Sequence, residues 1–111
     1  MKVDRFFRAL GDRTRLDCLV LLLDERALCV CELVHVLDLP QPRISRHLAQ
    51  LRDQGIVIDE RRGAWVYYQL HPELPEWARE VIQLAAQADQ AASQSWRTRL
   101  ESMPGRPVAC D

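Results

Sequence analysis

Val3, Phe6, Phe7 and Leu10 recur at i, i+3, i+4 and i+7, the spacing of an amphipathic first helix. Gly11 ends it, and Asp12 or Thr14 can cap a second helix running to about Leu23. Leu16, Leu19, Val20, Leu22 and Leu23 make that helix apolar almost all round, which predicts a central place in the core. Asp24-Glu25-Arg26 forms the connection. A third helix is expected from about Cys31 to Leu37, followed by Asp38-Leu39-Pro40. Pro42 suits the first turn of a fourth helix that carries Ile44, Leu48 and Leu51 and stops at Gly55.

The period then changes. Ile56-Val57-Ile58 and Trp65 to Leu70 are β-branched and aromatic runs, joined by Asp59-Glu60-Arg61-Arg62-Gly63-Ala64, a pattern that predicts a β-hairpin. After Pro72 and Pro75 one long helix is expected from near Trp77. Its seam of Trp77, Val81, Leu84, Ala88, Ala92, Ser95 and Trp96 has the spacing of a helix packed along most of its length. The fold class implied is mainly α with a small β-hairpin, a winged helix-turn-helix, with the helix-turn-helix from Glu32 to Gln54. Residues 1–102 form this domain with its N- and C-terminal dimerisation helices, and residues 103–111 a flexible tail.

If residues 42–54 are helical, Ile44, Leu48 and Leu51 face the core. Gln41, Arg43, Ser45, Arg46, His47 and Gln50 then lie on or beside the opposite face. These side chains suit phosphates and base edges, since Arg can grip guanine bidentately and Gln adenine. From Gln41 to Arg62 there are five arginines and three acids, a local excess of two positive charges in a chain whose formal charge is -1. An ordinary solvated helix face would look similar. The arginines at the hairpin tip, Arg61 and Arg62, favour DNA, because a wing can lie along the phosphate backbone. One such module offers few contacts, so a homodimer on two-fold-related operator double-stranded DNA is expected, with its reading helices roughly 34 Å apart. Phe6, Phe7, Trp77, Val81, Leu84 and Ala88 are the candidate dimer surface, although the same residues could cap the monomer core.

The 111 residues are 48% hydrophobic, enough to exclude general disorder and suited to one domain. The longest apolar run, Cys18 to Leu23, is too short to cross a bilayer, so no membrane partner is expected. Met1-Lys2-Val3-Asp4 begins no apolar signal region, which predicts a cytoplasmic location. Thiols stay reduced there, and four cysteines in a small domain point to metal binding or redox chemistry.

Cys29 and Cys31 lie at the start of the third helix. Side chains two apart in a regular helix diverge by about 200° at ~3.6 residues per turn. Only with Cys29 outside the first turn can both sulfurs converge on one ion. The positive helix end would also favour the thiolate that a soft ion requires. A third ligand is wanted, and Cys110, Cys18 and His35 are the candidates; Cys18 also fits a small core residue, and His35 a polar surface residue.

Four stretches carry a resemblance to the ArsR/SmtB family of metal-responsive transcriptional repressors, from Phe6 to about Trp96. They are residues 7–16 (FRALGDRTRL), 28–33 (LCVCEL), 41–48 (QPRISRHL) and 51–57 (LRDQGIV). Within that family Leu-Cys-Val-Cys looks like the inducer site of trivalent arsenic and antimony sensors. The family's arsenic motif is often Cys-x-Cys-x-x-Cys, whereas here the third position is Val34. The family's zinc site needs histidines on the C-terminal helix, and no His follows His71, which argues against a zinc sensor. The resemblance implies a repressor that releases operator DNA when arsenite binds Cys29, Cys31 and a further thiol such as Cys110, with no catalytic cofactor. The alternative on the same residues is a thiol redox or sulfur-sensing repressor. An enzyme is not expected, since the chain has no Cys-x-x-Cys and no phosphate-cradling loop.

Overall fold

The computed structural model describes residues 1–107. In it α1 (Val3–Leu10) and α2 (Arg13–Glu25) lead into a three-residue strand β1 (Ala27–Cys29), followed by α3 (Val30–Leu37) and α4 (Gln41–Asp53). The hairpin β2 (Val57–Arg62) and β3 (Trp65–Leu70) precedes α5 (Glu76–Ala88) and α6 (Gln90–Glu101). The three strands form one antiparallel sheet in the order β1-β3-β2. Helices α3 and α4 with the β2–β3 wing make the expected winged helix-turn-helix.

Each boundary has a local cause. Asp12 caps α2, its carboxylate accepting the Arg15 N–H at 3.1 Å. The Arg15 guanidinium in turn donates to the carbonyls of Ala9 (2.9 Å) and Arg8 (3.2 Å), closing the end of α1. Asp38 ends α3 in a left-handed conformation (φ 54), and Pro42 sits in the first turn of α4. The apolar faces meet in one core that includes Leu19 and Leu22 from α2, Leu33 from α3, Ile44, Leu48 and Leu51 from α4, and Ile82 from α5. Cys18 is part of that core.

Three expectations are corrected. The predicted single C-terminal helix is two helices. Asp89 leaves the helical region (φ -135, ψ 69) and its carboxylate accepts the Ala92 N–H at 3.2 Å, so it caps α6 and redirects the chain. Helix α6 returns against α2 and α3: Arg99 donates to the Val36 carbonyl at 2.8 Å, Arg97 meets Asp24 at 3.2 Å, and Leu100 is buried.

The hairpin connection is shorter than expected. Pairing of Asp59 to Arg62 with Tyr68 to Trp65 continues the strands, leaving only Gly63 and Ala64 as the turn, with Gly63 at φ +62. Leu28 and Cys29 also form a short strand that the sequence pattern does not show, paired with Tyr68 and Tyr67 and running into the N-cap of α3.

The segment after α6 also makes a defined contact. Arg106, expected in the tail, reaches back to Glu32 at 2.6 Å and to Glu25 at 3.3 Å.

Candidate functional site

Cys29 occupies the N-cap of α3 and Cys31 the second helical position, the arrangement that lets two thiols of a Cys-x-Cys sequence face one another. They do so, as neighbours lining one cleft. Glu32 completes a capping box, its Oε1 accepting the Cys29 N–H at 2.9 Å. The β1–β3 register sets Cys29 opposite Tyr67, so Val66 and Trp65 extend beyond it toward α3.

The result is an open cleft of about 430 Å³ lined by Cys29, Val30, Cys31, Val34, Gln41, Trp65 and Val66. It joins the thiols, the first residue of α4 and the tip end of the wing, where Trp65 and Val66 pair with Arg62 and Arg61.

The electrostatics of the pair differ from expectation. Burial pushes the Cys29 thiol up to about 12, with the neighbouring Cys31 thiol and the charge of Glu32 adding to the rise; the Glu32 N–H opposes it. The helix end therefore does not hold Cys29 as a thiolate near neutrality. Cys29 is a protonated thiol there.

Of the candidate third ligands, Cys18 is sealed in the core, where burial pushes its thiol up to about 12 as well. His35 is exposed on α3. Cys110 lies outside the described residues. Among the described residues no group of three or more His, Cys, Asp or Glu side chains is placed to hold a metal ion. What stands beside the two sulfurs is an apolar wall.

On α4, Arg43, Arg46 and Gln50 are exposed on one side of the helix, and Gln41 is exposed at its start. Gln41 donates to Ser45 Oγ at 2.7 Å, Gln50 accepts from Arg15 at 3.3 Å and Arg43 approaches Thr14 Oγ1 at 3.4 Å, so several of these side chains are held in place. Arg61 is exposed on the wing. Arg62 lies over the Tyr67 ring, its guanidinium carbon 4.8 Å from the centroid, and meets Glu60 at 3.5 Å.

His47 departs from the expected face. It is only 8% exposed, its Nε2 is 3.8 Å from Asp12, and its Nδ1 is buried with no hydrogen-bond partner. His47 directly precedes Leu48 and sits three residues after Ile44, and α2 closes over that edge of the apolar stripe.

The expected dimer surface divides. Phe6 is 0% exposed and packs edge-on against Trp77 with ring centroids 5.2 Å apart, so it belongs to the chain's own core. Phe7, whose ring centroid is 5.8 Å from that of Phe6, is exposed, and Leu84 on α5 is 64% exposed. Trp77 and Val81 are half-buried, and Ala88 is exposed. Sequence spacing missed Val34, Val66 and Trp65 as lining of the thiol cleft, and Arg106 as a partner of its helix cap. The glutamate three residues after Cys29 was the available signal for that cap.

Residues 12–59 match the family model described as "Bacterial regulatory protein, arsR family". The chain is 49% identical over 107 residues to the arsenic resistance transcriptional regulator ArsR1 of Pseudomonas putida, covering 94% of this chain and 84% of the relative. It is 44% identical over 91 residues to the arsenical resistance operon repressor of Escherichia coli, covering 82% and 78%. Among solved structures, the AntR antimony-specific transcriptional repressor superposes with a TM-score of 0.68 at 25% identity, covering 83% of this chain and 80% of that one. No helix among the described residues is long and apolar enough to cross a membrane. With the winged helix, the exposed polar side of α4 and these relatives in view, the chain belongs to the ArsR family and is a DNA-binding transcriptional regulator, not an enzyme.

Proposed function

We propose that this chain is a homodimeric repressor that holds operator DNA in its inducer-free form and releases it when trivalent arsenic or antimony binds Cys29 and Cys31. The observation that carries the proposal is the shared cleft, in which both thiols, Gln41 of the reading helix and Trp65-Val66 of the wing line one space. An ion drawing the two sulfurs together acts on the N-cap of α3, the first helix of the helix-turn-helix. Any change in that cap is passed to α4 and the wing, the two elements proposed to meet DNA through Gln41, Arg43, Ser45, Arg46, Gln50, Arg61 and Arg62. Cys110 is the proposed third thiolate. The relatives named for arsenic resistance and the antimony-specific repressor support a metalloid inducer. Phe7, Trp77, Val81, Leu84 and Ala88 are the proposed dimer surface.

By linkage, DNA weakens inducer binding by the same factor that inducer weakens DNA binding, typically about 5–150-fold. Replacing both cysteines by serine tests the site, because serine retains a good N-cap for α3. The Cys29→Ser/Cys31→Ser protein is expected to bind operator normally and to stay bound in arsenite. Release of that variant by arsenite overturns the assignment. The proximity of the two thiols in one open cleft favours one other reading, oxidation of the pair. Arsenite titration without oxidant, in anaerobic solution, separates the two: release there excludes oxidation as the trigger.

A further inference from the structure

The first turn of α2 runs along one edge of α4. Arg43, His47 and Gln50, at i, i+4 and i+7 of α4, meet Thr14 (3.4 Å), Asp12 (3.8 Å) and Arg15 (3.3 Å) respectively. The Arg15 contact is the most constrained of the three. Each guanidinium nitrogen has a partner: Nε donates to the Ala9 carbonyl at 2.9 Å, Nη2 to the Arg8 carbonyl at 3.2 Å, and Nη1 to Gln50 Oε1. The two carbonyls belong to the last turn of α1, so the guanidinium is fixed independently of Gln50.

A guanidinium donates and never accepts, so only the oxygen of the Gln50 amide can face Arg15. That contact decides which half of the amide is left for a partner outside the chain. The oxygen is turned to α2, and on this exposed residue the Nε2 amino group is the half left to donate. A glutamine free to turn reads adenine with both halves, its oxygen accepting from N6 and its nitrogen donating to N7. Held by its oxygen, it meets the N6 amino group of adenine donor to donor. Guanine instead offers acceptors at both O6 and N7.

We propose that Arg15 is a positioning residue for DNA reading, holding Gln50 as a hydrogen-bond donor and so directing it to guanine in preference to adenine. The inference rests on the exposed side of α4 meeting DNA. It adds to that reading a base and a residue outside the helix-turn-helix.

The test uses the full chain without inducer. Selection from a pool of randomised duplexes, with wild type and Gln50→Ala, finds the base pair whose preference depends on Gln50. Anisotropy on duplexes differing only there then compares guanine, adenine and 7-deazaguanine, which lacks the N7 acceptor. Wild type is expected to prefer guanine to adenine by at least about fivefold, and to bind several-fold more weakly to 7-deazaguanine. Gln50→Glu keeps an acceptor for Arg15 but has no donor, and is expected to be indifferent to 7-deazaguanine. Arg15→Met is expected to bring guanine and adenine within about twofold, and to leave that ratio unchanged when Gln50 is already alanine. Arg15→Lys keeps a cation for the α1 carbonyls but cannot span them and Gln50 together. It is expected to narrow the ratio likewise, and decides the matter if Arg15→Met does not fold.

Adenine preferred by wild type overturns the proposal, as does 7-deazaguanine sensitivity retained by Gln50→Glu. A full guanine preference in whichever Arg15 variant folds also overturns it, because a merely structural role weakens every duplex alike. No base pair dependent on Gln50, with binding still weakened by Arg46→Ala, overturns the proposal and leaves α4 as the helix that meets DNA. No loss of binding from Arg46→Ala and Gln50→Ala together overturns that reading and this inference with it.

Discussion

Arg106 donates to Oε2 of Glu32 across 2.6 Å, joining residues 74 positions apart in the chain. The other oxygen of the same carboxylate accepts the Cys29 N–H, so one side chain links the C-terminal segment to the cap of the thiol-bearing helix. Glu32 is only 2% exposed, and Arg106 and Cys29 supply the groups that offset burial of its charge. Arg106→Ala leaves that carboxylate with the Cys29 N–H alone. Its expected cost is about 1–2 kcal/mol, reduced from the range for fully buried pairs because Arg106 is itself partly exposed. Urea denaturation of wild type and variant measures it. Identical midpoints show that the contact contributes nothing in solution.

Val34 lines the same cleft as both thiols. A sulfur introduced there is therefore expected to complete a three-thiolate site without help from the C-terminal segment. Val34→Cys is expected to tighten arsenite binding by about tenfold or more, since the added ligand is already tethered beside the other two. Arsenic X-ray absorption gives the more direct readout. Three sulfurs in wild type, two in Cys110→Ser and three again in Val34→Cys/Cys110→Ser would place each ligand. Three sulfurs in Cys110→Ser alone would remove Cys110 from the shell.

The exposed and buried parts of α4 are expected to separate in DNA binding. Arg46 and Arg61 are exposed on the helix and wing, so Arg46→Ala and Arg61→Ala are each expected to weaken binding to all sequences. Each is expected to lower the slope of log affinity against log salt by roughly 0.9 if one phosphate contact is lost. His47→Ala is expected to leave that slope unchanged and to lower stability instead, by about 1–3 kcal/mol, because the ring is buried in the single chain. Anisotropy at several salt concentrations, paired with thermal melts, measures both. A change in salt slope for His47→Ala would return that residue to the DNA surface.

The winged helix-turn-helix was legible because its signals are local: the Ile44-Leu48-Leu51 stripe, Pro42 in the first turn, and a β-branched hairpin closed by Gly63. The Cys-x-Cys pair at a helix start was equally legible, since only that location lets such a pair converge. The parts that escaped depend on contacts distant in sequence. Asp89 interrupts a run whose apolar spacing continues through it, and what turns α6 back is packing on α2 and α3, including Arg99 on Val36. The strand at Ala27–Cys29 is too short to show a period and exists because β3 pairs with it. His47 and Phe6 sit at edges of apolar stripes, where spacing cannot say which neighbour closes over them. The wall of Val34, Val66 and Trp65 is assembled from two separate elements and has no sequence motif at all.

The raised thiol of Cys29 makes a prediction about pH. A divalent cation such as cadmium binds the thiolate, so it must displace the Cys29 proton, and a thiol titrating near 12 keeps that proton throughout the neutral range. Cadmium affinity is therefore expected to rise with pH by at least about tenfold per unit, from about pH 6 to pH 8. Arsenite behaves differently because it arrives as a neutral hydroxide. Each thiol proton leaves with a hydroxide as water, no proton is released to solution, and the affinity is expected to stay nearly flat over the same interval. The direction follows from the shift: a pKa raised by burial favours the protonated thiol, which penalises the cation at low pH and leaves the hydroxide unaffected. Calorimetric titrations with each ligand at three pH values, repeated in buffers of different ionisation enthalpy to count protons, measure the difference. A steep fall for arsenite as pH rises, or a flat profile for cadmium, would show that Cys29 is ionised before the ligand arrives.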